Sequence, residues 1–199
     1  MQNLLITGGL GYIGSKFIEE YSEKYNLFVL DTGLYENKSK EKFNLIQKDI
    51  RDISSNDIEN IDFVVHMAEL SNDPLGELSE NLTEEINHEA TKKLLEKCNK
   101  SSVKKFIYMS SCAVYGKNEN LVDELSELSP LTNYSKAKVK NEKFIQNSEL
   151  SFETIIFRNA TVYGYAKNHR LDLVINELCY EDFSKGEINL LSDGTPKRP

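Results

Sequence analysis

The sequence predicts an α/β fold, a doubly wound parallel sheet with helices on both faces. Short apolar runs alternate with helical patterns along most of the chain, and this order indicates right-handed crossovers between parallel strands. The runs are nearly continuous in apolar residues, as expected for strands that helices cover on both sides. A glycine-rich turn joins the first strand to the first helix, which is typical of the Rossmann-type form of this fold.

Six strands are predicted from short runs rich in β-forming residues. They are expected at residues 3–7, 27–30, 43–47, 63–67, 106–109 and 154–157. Helices are expected directly after the glycine-rich turn, over 84–99 and over 133–148, because apolar residues recur there at helical spacing. The inward positions of the last two are Ile86, Ala90, Leu94, Leu95 and Cys98, and Ala137, Phe144 and Ile145.

The character of the sequence changes after Gly164. A helical pattern follows, with Leu171, Val174, Ile175 and Leu178 on one face, and then a short apolar run over 188–191. The sequence stops at Pro199 in the middle of what resembles a motif. We therefore expect one domain over 1–165 and the start of a second, smaller domain over 166–199, apparently truncated.

Composition and charge exclude several classes of protein. The 199 residues carry a net charge of −8, which argues against a broad surface for nucleic acid or anionic membrane. No apolar stretch approaches the ~20 residues of a bilayer span, and no basic region precedes a signal-peptide core. Cys98, Cys112 and Cys179 form no Cys-x-x-Cys pair, which fits a reducing cytoplasm. The three histidines show no metal-ligand spacing, so no metal site is expected.

The glycine-rich turn is the strongest local signal for a ligand. Residues 8–14 read Gly-Gly-Leu-Gly-Tyr-Ile-Gly between the first strand and the first helix, where backbone N–H groups and the helix N-terminus attract a pyrophosphate. The second strand ends in Asp31, about seventeen residues past Gly14, where a carboxylate would accept hydrogen bonds from an adenosine ribose. Asp31 would repel a 2′-phosphate, so the turn predicts NAD rather than NADP.

A tyrosine and a lysine stand four residues apart at the start of the 133–148 helix. Tyr134 and Lys138 therefore share one helix face, where the ammonium would favour the phenolate. Moving a tyrosine pKa from about 10 to about 7 takes roughly 4 kcal/mol, which Lys138 and a positively charged nicotinamide could supply together. An ordinary exposed helix with a surface tyrosine is the alternative.

Two loops and two serines are expected near the same sheet edge. Segments 68–83 and 117–132 follow predicted strands, so both should border a cleft at the carboxyl edge. Ser110 and Ser111 follow the strand that ends at Met109, and Ser111 could hold a substrate oxygen while Tyr134 moves a proton. A serine that merely caps a turn is the alternative.

Taken together, these motifs resemble the extended short-chain dehydrogenase/reductases, in particular the NAD-dependent nucleotide-sugar epimerase/dehydratase group. The resemblance runs from end to end in the order of the family. The matching pieces are Thr7-Gly8-x-x-Gly11-x-x-Gly14, Asp31, Asp49-Ile50, His66-Met67-Ala68, Asn87, Ser110-Ser111 with Val114-Tyr115-Gly116, Tyr134-x-x-x-Lys138, and Arg158 leading to Val162-Tyr163-Gly164.

The resemblance implies a cofactor site. Its residues would be Gly8, Gly11 and Gly14 with Tyr12 and Ile13 at the pyrophosphate, Asp31 at the adenosine ribose, Asp49 and Ile50 at the adenine, Met67 and Ala68 along the dinucleotide, Asn87 under the active site, and Tyr134 and Lys138 at the nicotinamide end. A literal G-x-G-x-x-G would begin at Gly9, and we favour Gly8.

The same resemblance implies catalysis by Ser111, Tyr134 and Lys138, with a nucleotide sugar as substrate and a homodimer as the working form. Ser111, Thr161 and Arg198 would bind the substrate, Arg198 through its phosphates. The expected reaction is epimerisation through a keto intermediate, most simply at C4. A 4-dehydrogenase or a 4-ketoreductase is the first alternative, and a non-catalytic dinucleotide-binding protein is the second.

Some positions depart from the family pattern. Glu69 stands where a small residue is usual, and we expect it to face solvent rather than the substrate cleft. Thr161 replaces an asparagine, and Tyr165 replaces a proline. Cys112-Ala113 stands where 4,6-dehydratases carry an Asp-Glu pair, which disfavours that reaction, and Cys112 is expected to be a small buried side chain.

Overall fold

The computed structural model describes residues 1–36, 40–71, 77–190 and 193. Its centre is one six-stranded parallel sheet in the order β3-β2-β1-β4-β5-β6. The strands are β1 (Asn3–Thr7), β2 (Asn26–Asp31), β3 (Asn44–Gln47), β4 (Phe63–His66), β5 (Lys105–Ser111) and β6 (Glu153–Asn159). The order reverses between β1 and β4, and in such sheets the crevice beyond the strand ends at this point binds ligands. The predicted fold is confirmed.

Helices cover both faces of the sheet. They are α1 (Tyr12–Tyr21), α2 (Glu80–Thr83), α3 (Ala90–Cys98), α4 (Asn133–Asn147) and α5 (Val174–Lys185). A π-helical segment, Glu84–Glu89, joins α2 to α3, and short 3₁₀ turns cover Ile50–Asp52, Ser55–Ile58 and Cys112–Tyr115. Within the described ranges, no helix is both long enough and apolar enough to cross a membrane.

The structure corrects several predicted boundaries. The strand expected to end at Met109 continues through Ser111, so both serines belong to β5 and not to the loop after it. The helix expected over 84–99 already begins at Glu80 and contains the π-helical segment. The apolar run over 188–190 is irregular, and residue 191 lies outside the described residues. Backbone pairing decides strand ends, and apolar periodicity does not report it.

The core lies on both sides of the central strands because their side chains alternate between the two faces. Leu5 belongs to a cluster with Val64, Phe106 and the α3 residue Leu94, whereas Ile6 packs in a second cluster. That second cluster lies under α1 and includes Leu4, Leu10, Ile18, Leu27, Val29 and Val65. The α3 and α4 positions predicted to face inward are buried or partly buried, as expected.

One face of α4 is polar and yet buried. Lys138, Asn141 and Glu142 lie at helical spacing between Ala137 and Ile145, and all five are buried. Buried polar groups need partners. The β5 residue Ser110 donates to Glu142, whose carboxylate also accepts from the Arg158 guanidinium of β6 at 2.7 Å. The helix is therefore fixed to the sheet by specific polar contacts as well as by apolar packing.

We expect Glu142→Gln to lower the free energy of unfolding by about 3 kcal/mol, because Arg158 would keep its charge in a nearly buried place without a counter-ion. Urea denaturation measures the change. The Lys105–Glu153 ion pair joins β5 to β6 and is exposed, so the control Glu153→Gln should cost less than about 1 kcal/mol. Equal losses in the two variants would contradict the buried-pair argument.

Candidate cofactor and active site

The turn after β1 has no space for a side chain at several of its glycines. Gly8 adopts a left-handed φ of +72°, and a Cβ there would lie 2.8 Å from the backbone of Ala68. A Cβ on Gly14 would lie 2.5 Å from the Cα of Gly9 and would also collide with the carbonyl oxygen of Gly8. These positions therefore require glycine. A Cβ on Gly9 would meet the side chain of Val29, at 2.6 Å.

The N-terminus of α1 is exposed to this turn without a side-chain cap. Gly11 occupies the N-cap position in an extended conformation, and no side-chain hydrogen bond caps the helix there. The helix begins at Tyr12, followed by Ile13, so their N–H groups belong to the uncapped first turn. We call the turn with Gly8, Gly11 and Gly14 the glycine cradle. At an uncapped helix N-terminus, this cradle has the N–H donors and the partial positive charge that suit a pyrophosphate.

Asp31 lies at the end of β2, beside the turn. Its two carboxylate oxygens accept from the backbone N–H groups of Leu10 and Gly33, each at 3.0 Å. These bonds fix the carboxylate at the carboxyl edge of the sheet. Since a carboxylate has about four acceptor positions, the two oxygens retain capacity for the hydroxyls of a ribose.

The hydroxyl of Thr7 ties β1 to β4 at the same edge. Its Oγ1 accepts from the backbone N–H groups of Met67 at 3.1 Å and Ala68 at 3.2 Å, and it is 2.6 Å from Nδ1 of His66. The backbone of both residues predicted to line the dinucleotide is thereby held against the glycine turn. Burial, with a smaller contribution from Lys138, lowers the pKa of His66 to about 3, so this ring is neutral.

The residues predicted at the adenine, Asp49 and Ile50, differ in environment. Asp49 accepts from the backbone N–H of Arg51 at 2.9 Å and from its guanidinium at 2.8 Å, and these bonds lower the pKa of the carboxyl. Ile50 is buried in the core. Arg51 thus neutralises the carboxylate that the resemblance assigns to the adenine pocket.

Tyr134 and Lys138 lie on successive turns of α4. The Thr132 hydroxyl caps this helix by accepting from the N–H of Ser135 at 3.2 Å, which fixes its start just before Tyr134. The Lys138 ammonium lies 5.3 Å from the centre of the Tyr134 ring and donates to the carbonyl of Met109 in β5. Its side chain is only 5% exposed. The structure thus holds a buried cation beside the phenol.

The expectation that Glu69 faces solvent is wrong. Its side chain is 3% exposed, and one carboxylate oxygen, Oε2, forms an ion pair with the Lys138 ammonium. The other, Oε1, accepts from the Tyr108 hydroxyl at 2.8 Å. Burial raises the pKa of Glu69, while Lys138 and Tyr108 act in the opposite direction. Residues far apart in the chain form this contact, so local sequence patterns could not reveal it.

Other predicted site residues have local roles or lie outside the described residues. The Ser111 hydroxyl accepts from the N–H of Ala113 at 3.2 Å and so caps the 3₁₀ turn that follows β5. Cys112 is half-buried and packs against the small cluster around Val114. Thr161 is half-buried after β6. Arg198 lies outside the described residues.

Two polar residues behind the tyrosine–lysine pair, Tyr108 and Asn141, were not assigned from the sequence, whereas Asn87 was expected under the active site. Asn141 donates to the Tyr108 hydroxyl at 2.8 Å and to the carbonyl of Asn87 at 2.6 Å. Asn87 clamps the backbone of Leu70, accepting from its N–H at 2.8 Å and donating to its carbonyl at 3.1 Å. The signal was a polar stripe at inward positions of an amphipathic helix, opposite a tyrosine in a buried strand.

One group of possible metal ligands occurs among the described residues. Ligand atoms of Glu84, His88 and Glu89 lie within 4.8 Å of one another. Glu84 forms an ion pair with Lys140, and His88 is hydrogen-bonded through Nδ1 to Asn141 at 2.7 Å. Two of these three groups therefore already have protein partners.

Comparison with known proteins gives a consistent result. The model of the NAD dependent epimerase/dehydratase family matches residues 4–199. The chain is 27% identical to the uncharacterized UDP-glucose epimerase YtcB of Bacillus subtilis, over 98% of this chain and 67% of that protein. It is 30% identical to human dTDP-D-glucose 4,6-dehydratase, over 82% of this chain but 52% of that enzyme. The chain therefore spans about half to two thirds of these relatives.

Solved structures with the same architecture include complexes with NAD. The NAD-dependent NDP-hexosamine 5,6-dehydratase TunA superposes with a TM-score of 0.87 at 26% identity, covering 99% of this chain and 67% of TunA. UDP-glucuronic acid 4-epimerase from Bacillus cereus, solved with UDP-glucuronic acid and NAD, gives 0.82 at 25% identity, covering 99% and 68%. With its glycine cradle, its acidic residue at the end of β2 and its tyrosine–lysine pair, the chain belongs to the NAD-dependent epimerase/dehydratase family.

Proposed function

We propose that this chain carries the cofactor-binding and catalytic part of an NAD-dependent nucleotide-sugar epimerase that acts at a sugar carbinol, most simply at C4. The observation that carries the proposal is the buried Lys138 ammonium 5.3 Å from the ring of Tyr134, at the sheet edge that also holds the glycine cradle. The 4-epimerases among the relatives and structural neighbours support the same reaction.

The cradle fits a dinucleotide. Gly8, Gly11 and Gly14 would let its pyrophosphate approach the backbone, the N–H groups of Tyr12 and Ile13 would donate to it, and Asp31 would accept from the adenosine ribose. Asp49 and Ile50 would border the adenine, and Met67, Ala68 and Asn87 would support the remainder. Bound NAD would supply the hydride chemistry, that is, oxidation of the sugar carbinol to a ketone and reduction of that ketone from its other face.

The side chains supply the proton chemistry. Tyr134, as phenolate, takes the proton from the sugar hydroxyl and gives it back when the ketone is reduced. Lys138 stabilises the phenolate by its charge. The Ser111 hydroxyl donates to the substrate oxygen, on which charge changes during the reaction. Because the proton and the hydride leave the same carbinol, these groups serve oxidation and reduction alike.

Binding of the sugar nucleotide would involve Thr161 and, through its phosphates, Arg198. The proposed division is a dinucleotide-binding domain over 1–165 and the start of a substrate-binding region from 166 onward. The exposed apolar side chains of α5, among them Val174, Tyr180 and Phe183, support this division because several large apolar side chains exposed on one helix normally pack against further protein.

We also propose a cytoplasmic location and a homodimer. The absence of any Cys-x-x-Cys spacing among the three cysteines supports a reducing compartment. Light scattering on the purified chain would measure its mass in solution, and a monomeric mass at micromolar concentration would contradict the dimer.

Calorimetry and product analysis test the proposed function. NAD should bind at least about tenfold more tightly than NADP, because Asp31 repels a 2′-phosphate. The chain is then incubated with NAD and a panel of UDP-, GDP-, CDP- and dTDP-sugars, and the products are identified by NMR. Inversion at C4 without net NADH at 340 nm supports the epimerase. Stoichiometric NADH would instead identify a dehydrogenase, and no affinity for NAD would contradict the proposal as a whole.

A further inference from the structure

We propose that Glu69 is a positioning residue of the active site, which holds the Lys138 ammonium in place and offsets part of the positive charge that this ammonium presents to Tyr134. The inference deepens the proposed function, because it rests on Tyr134 and Lys138 being the catalytic pair. It concerns a residue at which this chain departs from the pattern of the family it resembles.

Both carboxylate oxygens of Glu69 contact buried groups of the protein. Oε2 forms the ion pair with Lys138, and Oε1 accepts from the Tyr108 hydroxyl at 2.8 Å. Lys138 is oriented by two further groups, because it donates to the carbonyl of Met109 and lies 4.8 Å from the centre of the Tyr108 ring. An ammonium has three N–H donors, so these contacts leave capacity for a cofactor hydroxyl.

The segment that carries Glu69 is itself held in place. Asn87 bonds both backbone groups of the next residue, Leu70, and Thr7 accepts from the N–H of the preceding residue, Ala68. Tyr108, which holds the carboxylate, is fixed in turn by Asn141. The backbone on both sides of Glu69 is therefore held by tertiary contacts, and its carboxylate cannot leave Lys138 without breaking the hydrogen bond from Tyr108.

The other charged groups near the pair do not replace Glu69. His66 is neutral, and Tyr108 is neutral as well, because burial raises its pKa well above the ordinary value. Glu142, one turn beyond Lys138, is engaged by Arg158.

Two further charges face the start of α4. Glu77 accepts from the N–H of Asn133 at 2.8 Å. The Arg170 guanidinium interacts electrostatically with Tyr134, but it forms an ion pair with Asp172. Among the residues that the structure describes, the Glu69 carboxylate is the anion in direct contact with the Lys138 ammonium.

This arrangement has a measurable consequence. With the carboxylate in place, Tyr134 experiences the field of an ion pair rather than that of a single cation. Removing the negative charge should therefore favour the phenolate. A unit charge at about 7 Å, in an effective dielectric near 20, shifts an ionisation by about one to two pH units.

The test is a titration of Tyr134 in the full chain labelled with ¹³Cζ-tyrosine, with the signal assigned from the Tyr134→Phe variant. Glu69→Gln keeps the shape of the side chain and removes its charge, and it should lower the midpoint of Tyr134 ionisation by about one pH unit. The midpoint of the acid limb in the pH profile of kcat/KM should shift to lower pH by the same amount. Glu69→Asp keeps a carboxylate, so the Tyr134 midpoint in this variant should lie close to that of the original protein. Glu69→Ala replaces Glu69→Gln in the test if the glutamine variant fails to fold.

The chain offers a matched control in a second ion pair, whose lysine lies on α4 as Lys138 does. Glu84 forms an ion pair with Lys140, two residues beyond Lys138, but its side chain is 36% exposed. Glu84→Gln removes the same charge and should move the midpoint by less than about 0.3 unit, because solvent screens an exposed pair. An unchanged or raised Tyr134 midpoint in Glu69→Gln would overturn the inference, as would an equal shift in the control.

This titration needs neither turnover nor bound NAD. If NAD fails to bind while Glu69→Gln still lowers the Tyr134 midpoint, the proposed function is wrong, and what stands is the electrostatic effect of Glu69 on Tyr134 through Lys138. If NAD binds and epimerisation occurs while the midpoint does not move, the proposed function stands and Glu69 is structural only.

Discussion

Tyr134→Phe is expected to lower kcat by about 10² to 10⁴, because the substitution removes the group that moves the proton and leaves the ring in place. The affinity for NAD should stay within about threefold, since the cradle lies on other elements and the Lys138 ammonium keeps its contacts with Glu69 and Met109. Steady-state rates with the preferred sugar nucleotide and calorimetry with NAD measure the two quantities separately.

The control for this variant is Tyr180→Phe, which removes the hydroxyl of an exposed tyrosine on α5. It should leave kcat and NAD affinity unchanged. A Tyr134→Phe enzyme with more than about a tenth of the original kcat would contradict the assignment of Tyr134 as the acid and base.

Gly14→Ala is expected to reduce NAD affinity at least about a hundredfold, which corresponds to about 2.7 kcal/mol. The added Cβ would lie 2.5 Å from the Cα of Gly9 and 2.7 Å from its carbonyl oxygen, and neither backbone atom can turn aside as a side chain would. The turn must therefore open, which misplaces the N–H groups that face the pyrophosphate. Overpacking of this kind should also cost about 2–3 kcal/mol of stability. Calorimetry and urea denaturation measure the two losses.

Gly186→Ala separates the two losses. Gly186 ends α5 at a left-handed φ of +70°, and nothing lies within 4 Å of the position its Cβ would take. Alanine there should cost about 1 kcal/mol in backbone strain and leave NAD affinity unchanged. If both variants lose NAD affinity in proportion to their stability, the cradle argument fails.

The predictable parts of the fold are those with local causes. The strand–glycine–helix order, the acidic residue at the end of β2 and the four-residue spacing of Tyr134 and Lys138 are properties of neighbouring residues, so reading the chain could reveal them. The extension of β5 to Ser111 depends on pairing with β6 across the sheet. The π-helical segment that contains Asn87 also escaped prediction, because apolar periodicity does not distinguish π-helical from α-helical hydrogen bonding. The contact of Asn87 with Leu70 joins residues seventeen positions apart, so local patterns could not reveal it.

Glu69 shows the difference between what the sequence determined and what only the tertiary structure decided. The sequence by itself determined the sheet, the glycine turn and the pair on α4, since periodicity, glycine chemistry and helical spacing act over a few residues. Only the tertiary structure decided that a carboxylate after β4 meets an ammonium from α4 beneath a tyrosine of β5. The physical reason is that the ion pair forms between side chains distant in sequence, which meet and become buried only once the sheet and helices have packed.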